Sequence, residues 1–469
     1  MRDPLRTLSD ANPVPHGSGV FAPGEDARLE QMAWSRIARP RQLHGPALAL
    51  AGALAVAAGF VWVFLAGTEP PAPDTTVVLV DPTTTATPAT TLPSTTTAPL
   101  ETSTTTTSPP SVSPVVIEWT RIAVQEEPAE IKAISALGDG FVAVGNTNSI
   151  TEGDAAVWLS PDGVTWNRVP DDGSIFGGEG FQNAMGVVVD GDRVVVTGLS
   201  DSGLDLASCE APLVWVSEDA GETWRRIEPE GRRCMWSIAM VDGRFVAAGF
   251  GFWYSENGVD WNWVDENLGV TWVAGIAVSP DGVVAVGGPS NGEIQSAVVA
   301  SDSGIVWERI PHDDAVFGEP DPLTGQNRLR TGMNDVVWTG ERFVAVGYYA
   351  EASNLDGAVW LSDDGRSWSL ITDPALGGSG SQFVTAAVSD GTRLYAVGRL
   401  QLPDGRSQAL AWVSADGGES WTAAETSGSG FGSPSGPVNP VDVLVDGARL
   451  IAVGYYDDSA AVWVGSIQG

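Results

Sequence analysis

The sequence predicts an all-β chain, a closed seven-bladed β-propeller joined at its N-terminal side to one transmembrane α-helix. Three observations carry this. An apolar run, a tight turn and a tryptophan recur six times, as VWLSPDGVTW from Val157, VWVSEDAGETW from Val214, WYSENGVDW from Trp253, VVASDSGIVW from Val298, VWLSDDGRSW from Val359 and AWVSADGGESW from Ala411. A second apolar strand ending in glycine recurs seven times, as GFVAVG from Gly140, DRVVVTG from Asp192, GRFVAAG from Gly243, GVVAVGG from Gly282, ERFVAVG from Glu341, TRLYAVG from Thr392 and ARLIAVG from Ala448. The 56 glycines and 19 tryptophans, against 6 methionines and 3 histidines, suit many short strands joined by turns.

Taken in order, residues 1–45 form a short cytoplasmic tail. Its one helical pattern sets Leu29, Met32, Ala33, Trp34 and Ile37 on or near one face, which reads as a juxtamembrane segment or, alternatively, a docking helix for a cytoplasmic partner. Residues 46–67 contain no charge and are long enough for a helix to cross a bilayer. Arg36, Arg39 and Arg41 precede this span, while Glu69, Asp74 and Asp81 follow it. That asymmetry keeps the N-terminus in the cytoplasm and exports the rest, placing the protein in the cell membrane as a single-pass chain. Residues 68–114, rich in Thr, Pro, Ser and Ala, cannot bury a core and read as a disordered stalk reaching on the order of 100 Å. Its hydroxyls are candidates for O-linked sugar.

Residues 115–469 hold the propeller. An Asp-Gly, Thr-Gly or Gly-Asp-Gly turn opens each glycine-ended strand and links it to an upstream apolar strand, such as residues 186–189 or 441–445. Four strands over about 30 to 60 residues make one blade. The seventh unit ends after AVWV at 461–464 without a tryptophan-led fourth strand. Ile117-Glu118-Trp119-Thr120-Arg121-Ile122 reads like Thr165-Trp166-Asn167-Arg168-Val169 and supplies the missing strand. Pairing of Trp119 beside Val464 would close the ring and remove its open edges.

Lysine plus arginine total 24 against 59 acidic residues, a net charge of -35, which repels phosphate backbones and excludes nucleic acid as a partner. Cys209 and Cys234 lie on the exported side, where oxidation favours a disulfide between neighbouring loops. No histidine or further cysteine gathers near them, and no Asp-x-Asp-x-Asp-Gly loop occurs, so neither a metal nor a cofactor is expected.

The turn phrase resembles the Asp-box, or BNR, repeat, Ser-x-Asp-x-Gly-x-x-Trp. Ser217 to Trp224 and Ser414 to Trp421 match in full, through Asp219 and Asp416. The turns holding Asp162 and Trp166, Asn257 and Trp261, Ser303 and Trp307, and Asp364 and Trp368 are one residue shorter, with Asn257 and Ser303 standing where Asp is usual. A short carboxylate can accept backbone N–H groups in its own turn, Gly permits positive φ, and Trp covers the hairpin, so these residues read as scaffold. The resemblance implies a propeller related to sialidases, other secreted glycosidases, sortilin-type receptors and photosystem assembly factors. A sialidase would need three clustered arginines, a tyrosine nucleophile assisted by a glutamate, and an aspartate acid/base. Here the Arg-Ile-Pro triplet at Arg309-Ile310-Pro311 follows a turn tryptophan, away from the position that family uses.

Local function should sit in what the repeat does not dictate. The longer loops, 171–182, 200–212, 311–332, 373–382 and 426–440, all fall on one face of a propeller. Tyr348, Tyr349, Tyr455, Tyr456, Arg233, Arg328, Arg330 and Arg399 are aromatic or basic groups on or beside those loops, suited to anchoring a ligand. No catalytic set is identified. The leading reading is a membrane-anchored, non-catalytic binding module for a protein, peptide or glycan. The alternative, a sialidase-like glycoside hydrolase, would require Arg328, Arg330 and Arg399 to gather round Tyr348 or Tyr455 and a carboxylate.

Overall fold

The computed structural model describes residues 115–469 except 125–128, 148–152, 172, 202–210, 232, 265–267, 290–294, 321–326, 351–353, 403–405, 430, 432–436, 458 and 469. The predicted tail, membrane span and stalk lie outside the described residues, and no described helix is long and apolar enough to cross a membrane.

Seven sheets are present: five have four antiparallel strands in sequence order from the axis outward, that of blade 5 adds the short strand Glu319–Pro320 beside its inner strand, and that of blade 7 takes its outer strand from the N-terminal side, with a fifth strand parallel to it. Their inner strands are Ala129–Leu137, Phe181–Asp190, Met235–Val241, Val270–Ser279, Asn327–Trp338, Ser381–Ser389 and Val438–Asp446, opening blades 1 to 7. Each packs beside the next, and the seventh beside the first, so the ring is closed. One apolar cluster fills each of the seven junctions between blades. Trp158, Trp215, Trp253, Trp360, Trp412 and Trp463, all from third strands, are fully buried there.

Closure follows the prediction to within one residue. Val116–Ala123 is the outer strand of blade 7, antiparallel to Ser459–Gln468, with Trp119 opposite Gly465 and Thr120 opposite Val464. A strand that the sequence did not reveal, Glu425–Ser429, adds in parallel on its other edge. Trp119 is buried and stacks on Phe431 with ring centroids 4.2 Å apart. The closing strand is therefore held on both edges and capped by an aromatic stack.

Every inner strand carries a β-bulge at the same height, after Ile131, Ala184, Met235, Val273, Met333, Val384 and Pro440. The bulge pushes the inner strand against the glycine that ends the neighbouring second strand. A Cβ at Gly145, Gly198, Gly249, Gly287, Gly347, Gly398 or Gly454 would lie inside contact distance of an inner-strand carbonyl oxygen. Close backbone approach thus explains the glycine in each Ala-Val-Gly phrase.

Candidate functional site

Because strands alternate direction, the turns joining first to second and third to fourth strands share one face, and the remaining loops share the other. The turn face is occupied by its own chemistry. In blade 1, Asp162 Oδ1 accepts the N–H groups of Val164 and Thr165 at 2.8 and 2.6 Å, Ser160 Oγ accepts that of Gly163 at 2.8 Å, and Trp166 Nε1 donates to the Gly163 carbonyl at 3.0 Å. The Thr165 and Val164 N–H groups hold the Asp162 carboxyl below its ordinary pKa. Asp219, Asp364 and Asp416 repeat the arrangement with Trp224, Trp368 and Trp421. Asn257 keeps it through its amide oxygen, at 2.9 and 2.8 Å, beside Trp261. Ser303 keeps one contact of 3.4 Å, although Trp307 still reaches Gly304 at 3.1 Å. These residues are consumed by their turns.

The turn-face arginines join one blade to the next. Arg366 in blade 5 reaches Asp302 and Glu308 of blade 4 at 2.8 and 2.7 Å. Arg342 bonds Asp363 at 3.2 Å and Glu419 of blade 6 at 3.1 Å. Arg449 pairs with Asp446 and donates to the Asp162 carbonyl at 3.2 Å, bridging blade 7 to blade 1. A groove of about 210 Å³ lies between blades 4 and 5 on this face, over Trp338 and Phe343. Arg366, on its wall, is already paired with two carboxylates.

The loop face is built differently. Its fourth-to-first loops are pinned to the third-strand tryptophans, with Trp215, Trp360 and Trp412 donating to the carbonyls of Ile175, Val316 and Ala375 at 2.8, 2.7 and 2.8 Å. Asp171, Asp313 and Asp373 accept backbone N–H groups at the start of these loops, and Phe176, Phe317 and Leu376 plug them. Much of what looked variable in sequence is a second repeated phrase with a structural role.

Against that scaffold, the predicted anchors separate. Tyr455 is 3 % exposed and belongs to the interior, out of a ligand's reach. Tyr349 packs into the core between blades 4 and 5. The side chain of Arg328 lies outside the described residues, and Arg330 is half-buried opposite Ala350. Tyr348 is half-buried and meets Phe383 edge-on, with centroids 5.4 Å apart.

Three loop-face arginines rest on aromatic rings, with no carboxylate in pairing distance among the described residues. Exposed Arg121 lies 4.2 Å from the Tyr456 ring centre, exposed Arg233 5.4 Å from that of Trp263, and Arg399 5.0 Å from that of Phe383. Arg399 is 8 % exposed, and its enclosed Nε has no hydrogen-bond partner.

Two residues on the axis were missed by the sequence reading. Asp335 and Asp442 follow the bulges of blades 5 and 7, where the other blades have Ala133, Gly186, Ser237, Gly275 and Ala386. A lone Asp amid small residues at one repeat position was the available signal. Asp335 accepts the N–H groups of Val336 and Ala387 at 2.8 and 3.0 Å, and Asp442 those of Val443 and Ile134 at 2.8 and 2.9 Å. Burial pushes the Asp335 carboxyl up to about 7, with the Asp442 charge adding to the rise, and burial pushes Asp442 up to about 6. Both oxygens of each carboxylate are committed to backbone donors, one from the following blade, so the pair joins blades 5 to 6 and 7 to 1. Among the described residues no group of acids, histidines and cysteines is arranged to hold a metal.

Fold and loop face together define a seven-bladed β-propeller with one arginine- and aromatic-bearing end. The chain belongs to the DUF6242 beta propeller domain family, whose pattern matches residues 160–467. No curated protein matches it in sequence. Among solved structures, it is similar to YCF48 bound to D1 peptide at 15% identity and TM-score 0.49, covering 75% of this chain and 97% of that one. It is also similar to YCF48 from Cyanidioschyzon merolae at 12% identity and TM-score 0.46, covering 74% of this chain and 98% of that one. A third is Trypanosoma rangeli sialidase in complex with sialic acid, at 13% identity and TM-score 0.40, with 75% of this chain and 57% of that one covered.

Proposed function

We propose that this protein is a surface-displayed, non-catalytic binding module, a single-pass membrane protein whose exported Asp-box propeller engages a protein, peptide or glycan through its loop face. The supporting observation is the contrast between faces. In a chain with 59 acidic residues, the loop-face Arg121, Arg233 and Arg399 sit on aromatic rings, while the turn-face Arg342, Arg366 and Arg449 meet carboxylates. Arg226, which pairs with Glu228 and the Gly177 carbonyl, and Arg244, which lies over Tyr254 as well as meeting Glu256, depart from this division. Arginine on an aromatic ring keeps its planar donor fork available, a favoured composition for interface anchors. A disulfide between Cys209 and Cys234 belongs to the same proposal, supported by the disulfide-bonded state of Cys234. Cys209 itself lies outside the described residues.

The test uses the full chain in nanodiscs, screened against a displayed peptide library and a glycan array. Replacing Arg121, Arg233 and Arg399 with Ala should weaken any selected ligand at least tenfold, while Arg342→Ala should leave it bound. Equal losses in both variants would overturn the face assignment. Turnover of fluorogenic glycosides that disappears in Tyr348→Phe would instead establish the hydrolase reading.

A further inference from the structure

We infer that Arg399 is the anchor for a carboxylate carried by a peptide segment of the partner, an inference that rests on the loop-face reading above. Arg399 lies near the loop-face end of the strand Leu394–Gln401, directly opposite Phe383 on one side and Ala409 on the other. The residues preceding it at alternate positions, Tyr395 and Val397, are buried in the junction between blades 6 and 7. Continuing that alternation would place a third packing group at this position, yet it holds a guanidinium.

Arg399 is nine-tenths buried, its Nε is enclosed with no hydrogen-bond partner among the described residues, and its guanidinium rests 5.0 Å from the ring centre of Phe383. A buried polar atom without a partner demands an explanation, and a buried unpaired charge is more costly still. Cation–π contact with a ring offsets little of that cost. An incoming anion would offset much more, because the low dielectric that penalises the lone charge strengthens its bond to a counter-charge.

The surroundings select among anions. The planar fork of arginine matches the two oxygens of a carboxylate. One arginine cannot neutralise a dianion, and a chain of net charge -35 repels a phosphate more strongly than a carboxylate. The ring on which the guanidinium rests, Phe383, belongs to a buried apolar cluster with Leu355 and Ala350, against which Tyr348 packs. Gly332 lies directly beneath the Tyr348 ring, where a Cβ would collide with it, so the ring is seated by the absence of a side chain. A guanidinium seated on an aromatic ring suits a carboxylate flanked by a hydrocarbon or aromatic side chain, as in a peptide, better than a hydroxyl-covered sugar.

The test is saturation-transfer NMR on the full chain in nanodiscs with N-acetylphenylalanine, its amide, glucuronate and inorganic phosphate as probes. The acid should give a signal at least tenfold stronger than the amide. That signal should be lost in Arg399→Met, weakened in Arg399→Lys and kept in Arg233→Ala. Because Arg399 has no hydrogen-bond or carboxylate partner to lose among the described residues, the melting temperature of Arg399→Met should equal or exceed that of wild type. Equal signals from acid and amide, or a fall in melting of several degrees, would overturn the assignment. Stronger binding of glucuronate or phosphate would overturn the peptide assignment in favour of an acidic sugar or a phosphorylated ligand. If library-selected ligands are lost on Arg121→Ala and Arg233→Ala but survive Arg399→Met, the face is right and this anchor is wrong.

Discussion

The Asp442 carboxylate accepts the backbone N–H of Ile134 at 2.9 Å, joining residues 308 positions apart across the seam where the ring closes. Asp335 makes the same kind of bridge to Ala387, at 3.0 Å, between blades 5 and 6. Both carboxyls are raised, to about 6 and about 7 respectively. A raised folded-state value means that the native chain binds more protons than the unfolded chain between roughly pH 4 and 7. Stability is then greatest below about pH 4 as far as these two groups are concerned, and falls as pH rises through 6 and 7. The combined effect should be on the order of several kcal/mol, since the two values lie about three and two units above an ordinary Asp carboxyl and each unit corresponds to about 1.4 kcal/mol. Urea midpoints should therefore drop between pH 5 and 8 in wild type, and the double change Asp335→Asn with Asp442→Asn should flatten that slope. An unchanged slope would show that the two carboxylates titrate alike in folded and unfolded chains.

Closure also depends on Trp119. It is fully buried, stacks on Phe431 and sits in a strand hydrogen-bonded on both edges. Trp119→Ala removes a large ring and leaves a cavity, which typically costs about 3 to 5 kcal/mol. The loss should appear as a lower urea midpoint, accompanied by self-association as the strand Ser459–Gln468 becomes an open edge.

Gly398 tests the bulge. Any Cβ there meets the Phe383 carbonyl oxygen inside contact distance, so Gly398→Ala must push the inner strand of blade 6 away. The expected destabilisation is about 1 to 3 kcal/mol or more. Gly391→Ala is the control for a general glycine effect: its positive φ costs something, but nothing lies within 4 Å of the added Cβ. Comparable losses in both variants would mean that close approach contributes little.

The sequence disclosed features built from neighbours along the chain. Hairpins, turn residues and the match between Trp119 and the other outer-strand tryptophans are local or repeated, so seven blades and their closure could be read directly. The axial aspartates could not, because the donors that hold them, Ala387 and Ile134, come from other blades. Glu425–Ser429 has no apolar alternation, since it borders an already formed sheet and needs only backbone bonds to join it. Among the proposed anchors, Tyr455 and Arg399 look equivalent in sequence, each following a strand glycine. Opposite Asn439 the tyrosine completes a packed interior, whereas opposite Phe383 the arginine brings in a charge with no carboxylate in pairing distance among the described residues.

Ser303 shows what the turn carboxylates contribute. Its hydroxyl accepts the Ile305 N–H at 3.4 Å, whereas Asp364 at the matching position of blade 5 accepts the N–H groups of Arg366 and Ser367 at 2.8 and 2.6 Å. Burial alone would raise the Asp364 carboxyl, but those N–H donors bring it below its ordinary value. Ser303→Asp should install the same pair of bonds in blade 4. Side-chain capping of backbone N–H groups of this sort contributes about 0.5 to 2 kcal/mol, and the half-buried, partly solvated site places the gain at the lower end. The added group has a depressed folded-state pKa, so its contribution is present above about pH 4 and lost as pH falls below that value. Urea midpoints at pH 7 should rise in Ser303→Asp and return to the wild-type value near pH 3. Ser303→Asn should give part of the gain with no such dependence, because the amide oxygen of Asn257 already performs this role in blade 3 at 2.9 and 2.8 Å. A gain that persists at pH 3 would trace the effect to packing and not to the carboxylate.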